Sequence, residues 1–327
     1  MSTFLVIDKP AGITSHDVVA AVRAVTGEKK VGHTGTLDPF ATGVLALGLG
    51  GATRLMQFLD ESLKVYDAVV QLGTATDTGD PTGEVVAEAD VPKISDAQLK
   101  EVLATFLGER LQTPPAYSAV KVKGKPLYAY ARKGETVEVK ARPITIHGLE
   151  LTERGDGWFR VQLSCSRGTY ARVIASELGE ALGTVGHLRE LARTRSGPFV
   201  LDGALSMPQL ASLAAATSGE PWEDVLLPKR RPREERVPWR PRDEVRASLR
   251  PFLMRPIDAL SHLPMSDVDP RTAQRIRQGA APRRIPAGVA IGGQFLIVLG
   301  DEIIAVAEAG AQGARTVKVL DAASRRS

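Results

Sequence analysis

Short apolar runs separated by turn residues make up most of this chain, and few of them keep one period for long. Phe4-Leu5-Val6-Ile7 is a continuous apolar run of strand length. Ser15 then reads as an N-cap, Val18, Val22 and Val25 recur at helical spacing, and Gly27 can close that helix. Val44-Leu45-Ala46-Leu47 predicts a strand broken by Gly50-Gly51, after which residues 52–59 begin a helix. β-branched content marks residues 65–72 as a strand, and residues 74–83 form a long turn. Ser95-Asp96-Ala97-Gln98 is a capping-box pattern, with Leu99, Leu103 and Phe106 on the helix face behind it. Residues 114–140 hold Pro, Lys, Tyr and Gly without a period and read as a hairpin or mobile loop. Strands over 144–151 and 159–165 precede a helix over 170–182, whose apolar face is Ile174, Leu178 and Leu182. From about residue 265, short β-rich runs at 289–291, 295–299, 303–306 and 316–320 sit between Gly and Pro turns. Strands and helices are mixed without a βαβ rhythm, which predicts an α+β fold with a small β-rich unit at the C-terminal end.

Composition narrows the class. The chain has 327 residues, enough for about two domains, and no apolar run long enough to span a bilayer. Its start lacks a basic n-region and a cleavage site, so the expectation is a cytoplasmic protein. One cysteine, Cys165, excludes a disulfide framework or a thiolate metal site within the chain, and the five histidines form no paired ligand motif. The net charge of +4 is uneven: residues 229–250 carry nine basic and four acidic residues, and the remainder is nearly balanced. Rich in proline and charge, residues 228–250 are expected to be a flexible insertion. The basic excess is compatible with a polyanionic partner but rests on that one segment.

Several residues could carry chemistry. Asp38 sits among Gly and Thr just before Pro39, where small neighbours would let a substrate approach. A carboxylate there can act as a covalent nucleophile, although local sequence favours an Asx-turn role. His33 lies in the same loop and is either structural or a flat polar ring that replaces a base. Tyr66 is either a packing residue or a stacking platform. Ser166-Arg167-Gly168-Thr169-Tyr170-Ala171-Arg172 joins a strand to a helix, so that Arg172 could keep a neighbouring carboxylate ionised. Leu191 reads as core. Lysines 121, 123, 125 and 133 interleave with Tyr117, Tyr128 and Tyr130, a composition suited to phosphate neutralisation and base stacking. No phosphate loop, dinucleotide fingerprint or nucleophile elbow is present.

The run GHTGTLDPFATGVL at residues 32–45 closely resembles the catalytic motif of the TruB-type tRNA pseudouridine(55) synthases. Further blocks follow in the same order: Leu5 to Gly12 with its Lys-Pro pair, Thr14 to Asp17, Lys64-Val65-Tyr66, Leu72 to Thr78, Pro115 to Lys121, Cys165 to Arg172, and His187 to Arg193. The resemblance covers about residues 3–200. It implies a mixed, largely antiparallel sheet in a catalytic domain over 1–264, with an RNA-binding loop at 114–140. The tail, 265–327, resembles the family's β-barrel-like PUA RNA-binding domain.

Carried over by motif, the resemblance implies that Asp38 is the nucleophile and that Tyr66 stacks on the target base. It implies that Tyr170 and Arg172 contact the aspartate, that Leu191 walls the uracil pocket and that His33 fills the stack from which bases flip. The implied reaction is isomerisation of the T-loop uridine of tRNA without metal or cofactor; no coiled coil is evident in the sequence, so a monomer with no obligate protein partner is the expectation. Attack at C1′, addition at C6 and a glycal route all remain open. The competing reading is an RNA-binding module that remodels the T-arm without chemistry.

Overall fold

An unbroken apolar strand needs neighbours on both sides, and the first one has them. β1 (Ser2–Lys9) pairs antiparallel with β3 (Thr42–Gly50) and parallel with the short strand Leu205–Ser206. The computed structural model describes residues 2–60, 62–118, 120–135, 137–227 and 236–320. Among these residues the main sheet has eleven strands, with β2 (Val31–Thr34) flanking β3. Its central path runs Leu205–Ser206, β1, β3, Gly186–Ser196, β4 (Lys64–Leu72), Trp158–Cys165, Arg142–Gly155 and Gly108–Gln112. The pairs along it are largely antiparallel, with a parallel step between β3 and Gly186–Ser196, so the mixed sheet of an α+β fold is observed.

Patterning did not assign the middle strand, Gly186–Ser196, nor Gly108–Gln112, and Val31–Thr34 is a strand where a loop was expected. GHLRELARTRS looks charged and irregular, yet Leu188, Leu191 and Arg193 are all buried. It lies between β3 and β4, and its two register shifts against β4 disturb the simple alternation that marks a strand in sequence.

α1 (Ser15–Thr26) buries Val18, Val22 and Val25 as their spacing predicts, and Gly27 ends it at φ 67°. The cap is Thr14 rather than Ser15, in a capping box with Asp17. Residues 52–59 do not make the expected helix. They form two 3₁₀ turns, Gly51–Arg54 and Met56–Phe58, neither with a side-chain cap, and the stretch is too short to sustain an α-helix alone.

The segment 228–250 departs from its expectation in part. Residues 228–235 lie outside the described residues. From Arg236 onward the chain is packed, not a flexible insertion. Val245 and Leu249 are fully buried, the Trp239 indole donates to the Val225 carbonyl at 3.0 Å, and Arg246 donates to the Thr26 carbonyl at 2.8 Å. A few apolar residues between the charges therefore anchor it, with the arginines donating to backbone carbonyls.

The C-terminal strands Met265–Asp267, Gln294–Leu299, Glu302–Gly310 and Gly313–Val319 form a second sheet, and residues 289–291 do not join it. Among the described residues this sheet is open and does not close into the expected barrel. Helix Pro270–Arg277 covers one face through Ala273 and Ile276. Leu296, Val298, Ile303 and Val306 on the other face share a core with Phe4, Val44, Leu55 and Phe199 of the main sheet. Strand residues alternate faces, so each inner strand of the small sheet serves two cores. Phe4 is fully buried, its ring 5.4 Å from that of Phe199. Phe4→Ala should cost about 3–5 kcal/mol in urea unfolding and destabilise both sheets in one transition. Two separate transitions, with the C-terminal one unmoved, would contradict a shared core.

Candidate active site

Residues 35–41 connect β2 to β3, and the chain packs against this loop from several directions. Gly35 sits at φ 65°, a left-handed conformation that glycine adopts without strain. Leu37 is buried beneath the loop, and its backbone N–H donates to the Ser15 hydroxyl at 3.0 Å. The Pro39 carbonyl accepts from the Gly12 N–H at 2.8 Å and from the Lys9 ammonium at 3.2 Å. Lys9 is fully buried and also donates to the carbonyls of Pro10 and Ile13, both at 2.8 Å. Burial pushes the Lys9 amine down to about 8, with Asp38 acting in the opposite sense. The segment carrying Asp38 is thus tied to the first strand and the first helix.

Arg172 projects from helix Ala171–Ala181 and meets that loop. Its Nε is 2.9 Å from Asp38 Oδ2. Its other nitrogens donate to the Thr78 carbonyl at 2.6 Å and the Tyr117 carbonyl at 2.8 Å. The guanidinium side chain is 5% exposed, whereas Asp38 keeps 37% of its side chain accessible. Asp80 Oδ2 stands 3.7 Å from the same guanidinium. Its carboxylate accepts from the Thr78 hydroxyl at 2.8 Å and the Thr82 N–H at 3.0 Å. Arg172 therefore joins the Asp38 loop to two other loops and lies near two carboxylates.

The expected ion pair is present and acts in the expected sense, but burial outweighs it and sets the net direction for Asp38. Burial holds the Asp38 carboxyl above the ordinary carboxylate range. Arg172 is the largest opposing influence, Asp80 adds to the rise, and Lys9 counters it. Desolvation outweighs the pairing because Arg172 divides its donors among several acceptors and the second carboxylate repels the charge on the first.

A cavity of about 670 Å³ opens above Asp38, and His33, Asp38, Tyr66, Tyr170, Arg172 and Leu191 all line it. Tyr66, on β4, is 7% exposed, and burial raises its hydroxyl above the usual phenol range. Leu191 is 8% exposed and lies opposite Ala68 of β4. Tyr170 caps the Arg172 helix, and its backbone is held on both sides by the Gln112 amide, at 2.7 and 3.2 Å. His33, expected in the Asp38 loop, lies on β2 at the cavity wall, with the His16 ring edge-on at 5.8 Å. Of the aromatic and basic residues in 114–140, Tyr117 and Tyr128 reach the cavity. Two short strands, Lys121–Val122 and Lys125–Pro126, and a one-turn helix, Leu127–Ala131, give that segment its form.

Asp80, Lys64 and Arg193 escaped the site reading of the sequence. Asp80 sits among threonines whose hydroxyls and N–H groups it accepts, a local signal that the long turn has a buried hub. Lys64 and Arg193 lie within strands, where a basic residue reads as solvent-facing until the sheet order is known. Among the described residues no group of three or more His, Cys, Asp or Glu is arranged to hold a metal ion. No described helix is long and apolar enough to cross a membrane.

This geometry has relatives. Residues 23–171 match the model of the TruB family pseudouridylate synthase N-terminal domain, and residues 172–232 match that of the tRNA pseudouridylate synthase B C-terminal domain. The tRNA pseudouridine synthase B of Geobacter sulfurreducens is 40% identical over 94% of this chain and 93% of its own length. That of Aromatoleum aromaticum is 43% identical over 85% of this chain and 81% of its own. A chain in the structure of an H/ACA ribonucleoprotein bound to a substrate RNA containing 2′-deoxyuridine shares the fold, with a TM-score of 0.69. It is 23% identical and matches 98% of this chain and 86% of its own length. With both family models matching in tandem and full-length relatives at this identity, the chain belongs to the TruB family of pseudouridine synthases.

Proposed function

We propose that the chain converts the T-loop uridine of tRNA, position 55, to pseudouridine. It does so by flipping the nucleotide into the cavity above Asp38 and using that carboxylate as the nucleophile, without a cofactor. Isomerisation of uridine in tRNA follows from membership of the family; the T-loop target and the residue roles are this reading's own. One observation carries it: an ionisable carboxylate with an arginine 2.9 Å away opens onto a cavity walled by an aromatic ring and a leucine.

The chemistry suits those walls. The N1–C1′ bond must break and a C5–C1′ bond must form, so the freed base has to turn over without escaping. Attack of Asp38 at C1′, its addition at C6 of the ring, or its assistance of a glycal route each require the carboxylate ionised. Flipping the base costs a few kcal/mol, and stacking on a ring such as Tyr66 returns about 1–3 kcal/mol. Leu191 closes an apolar side of the pocket, and His33 at the rim would fill the space the base leaves. Tyr170, on the same cavity, is read with Arg172 as a contact of the aspartate, and Arg167, with the loop over 114–140, would meet the neighbouring backbone.

The C-terminal sheet is read as a PUA-type RNA-binding unit, supported by the exposed residues Arg271, Arg275, Arg283 and Arg284. The enzyme is read as a monomer acting in the cytoplasm.

The test is release of tritium from 5-labelled uridine in a T-stem-loop RNA. Release should proceed with no cofactor and be unchanged by a chelator. Binding of the RNA without release of label would favour a remodelling module over an enzyme.

A further inference from the structure

Arg193 is 1% exposed, in the middle of the main sheet on Gly186–Ser196. Arginines are almost never fully buried without strong partners. Its Nε donates to the Val44 carbonyl at 2.9 Å and its Nη2 to the Gly35 carbonyl at 2.8 Å. Gly35 belongs to the loop that carries Asp38. On the other side, the strand register sets Arg193 directly opposite Tyr66, close enough for the guanidinium to act on the Tyr66 phenol. Arg193 also lines the cavity. Its two hydrogen-bond acceptors are neutral carbonyls, so burial of the charge is poorly compensated.

We infer that Arg193 is a positioning residue of the isomerisation: one guanidinium ties the Asp38 loop, through Gly35, and the Tyr66 hydroxyl to the same point of the sheet. It thereby sets the gap between nucleophile and stacking ring in which the free uracil turns over. The inference rests on the reading of the reaction proposed above. A planar fork suits this task because its donors leave in fixed directions, whereas a lysine ammonium on a flexible stem cannot hold all three groups. The gap matters because displacing a reacting group by about 1 Å can cost about 100-fold in rate.

The experiment measures single-turnover label release at varied T-stem-loop RNA in wild type, Arg193→Lys, Tyr66→Phe and the double variant. The saturating rate of Arg193→Lys should fall about 10–100-fold. The half-saturating RNA concentration should stay within about threefold of wild type. The rate loss should be at least about threefold smaller once Tyr66→Phe has removed the hydroxyl, because coupled partners are not additive. A wild-type rate, a loss confined to RNA affinity, or an equal loss with and without the Tyr66 hydroxyl overturns the inference. If the lysine variant does not fold, Arg193→Ala assayed with millimolar guanidinium ion replaces it. Partial recovery of the saturating rate supports positioning, and no recovery overturns it. A wild-type chain that releases no label would instead sink the reading of the reaction, so the two failures are distinct.

Discussion

Asp38→Asn should bind a T-stem-loop RNA within about threefold of wild type and lose label release by about 10⁴-fold or more, the scale on which removing a nucleophile acts. The substitution keeps the shape and polarity of the side chain but removes the charge that every route to the glycosidic bond requires. Folding should be little affected. Asp38 keeps 37% of its side chain accessible, and besides the carboxylate's pair with Arg172 the loop is held through the Leu37 N–H and the Pro39 carbonyl, which the substitution leaves in place. Binding is read by filter retention or anisotropy and chemistry by tritium release. Residual turnover near wild type would remove Asp38 from the site.

Loss of the charge at position 172 should slow turnover by about 10²–10³-fold, more than it weakens RNA binding. The sign of its pH effect follows from the site. Burial and Asp80 raise the Asp38 carboxyl, and Arg172 is the largest influence lowering it. Removing the guanidinium therefore raises it further, and the acid limb of the rate moves to higher pH. A neighbouring opposite charge is worth about 1–3 pH units, so Arg172→Ala should shift the limb upward within that range. Arg172→Lys keeps a charge and should shift it less. Both also lose donors to the Thr78 and Tyr117 carbonyls, so a slower rate is expected from each at every pH. A limb that stays fixed in Arg172→Ala would show that the group titrating there is not Asp38.

Much of the site was legible because its chemistry is local in sequence. Residues 32–45 hold the glycines, the proline and the aspartate of one loop, and that loop is a single structural unit held at both ends. His33, Tyr66, Tyr170, Arg172 and Leu191 each stand in a short block whose order matches the family, and all of them face one cavity. Helices announced themselves where a cap preceded a periodic apolar face, as in α1 and in Asp96–Thr105. The misses share another cause. Gly186–Ser196 is a central strand with charged residues and shifted register, so its alternation is broken by contacts with β4 that no sequence window contains. Residues 236–250 looked like a solvated tether because charges outnumber apolar residues, yet the buried Val245 and Leu249 hold them in place.

By itself, the order of residues determined the reaction class, through short motifs shared with the family, and the α+β composition, and it singled out the Asp38 loop as the candidate site. Only the tertiary structure decided what environment those residues meet. It brought Arg172 to 2.9 Å from Asp38 and Asp80 near that arginine, and burial turned the expected lowering of the carboxyl into a rise. It also put a charged arginine at the centre of the sheet and gave the C-terminal strands a core in common with the first strand. Electrostatic environment and shared packing are sums over groups distant in the chain, and those distances exist only once the sheet has formed.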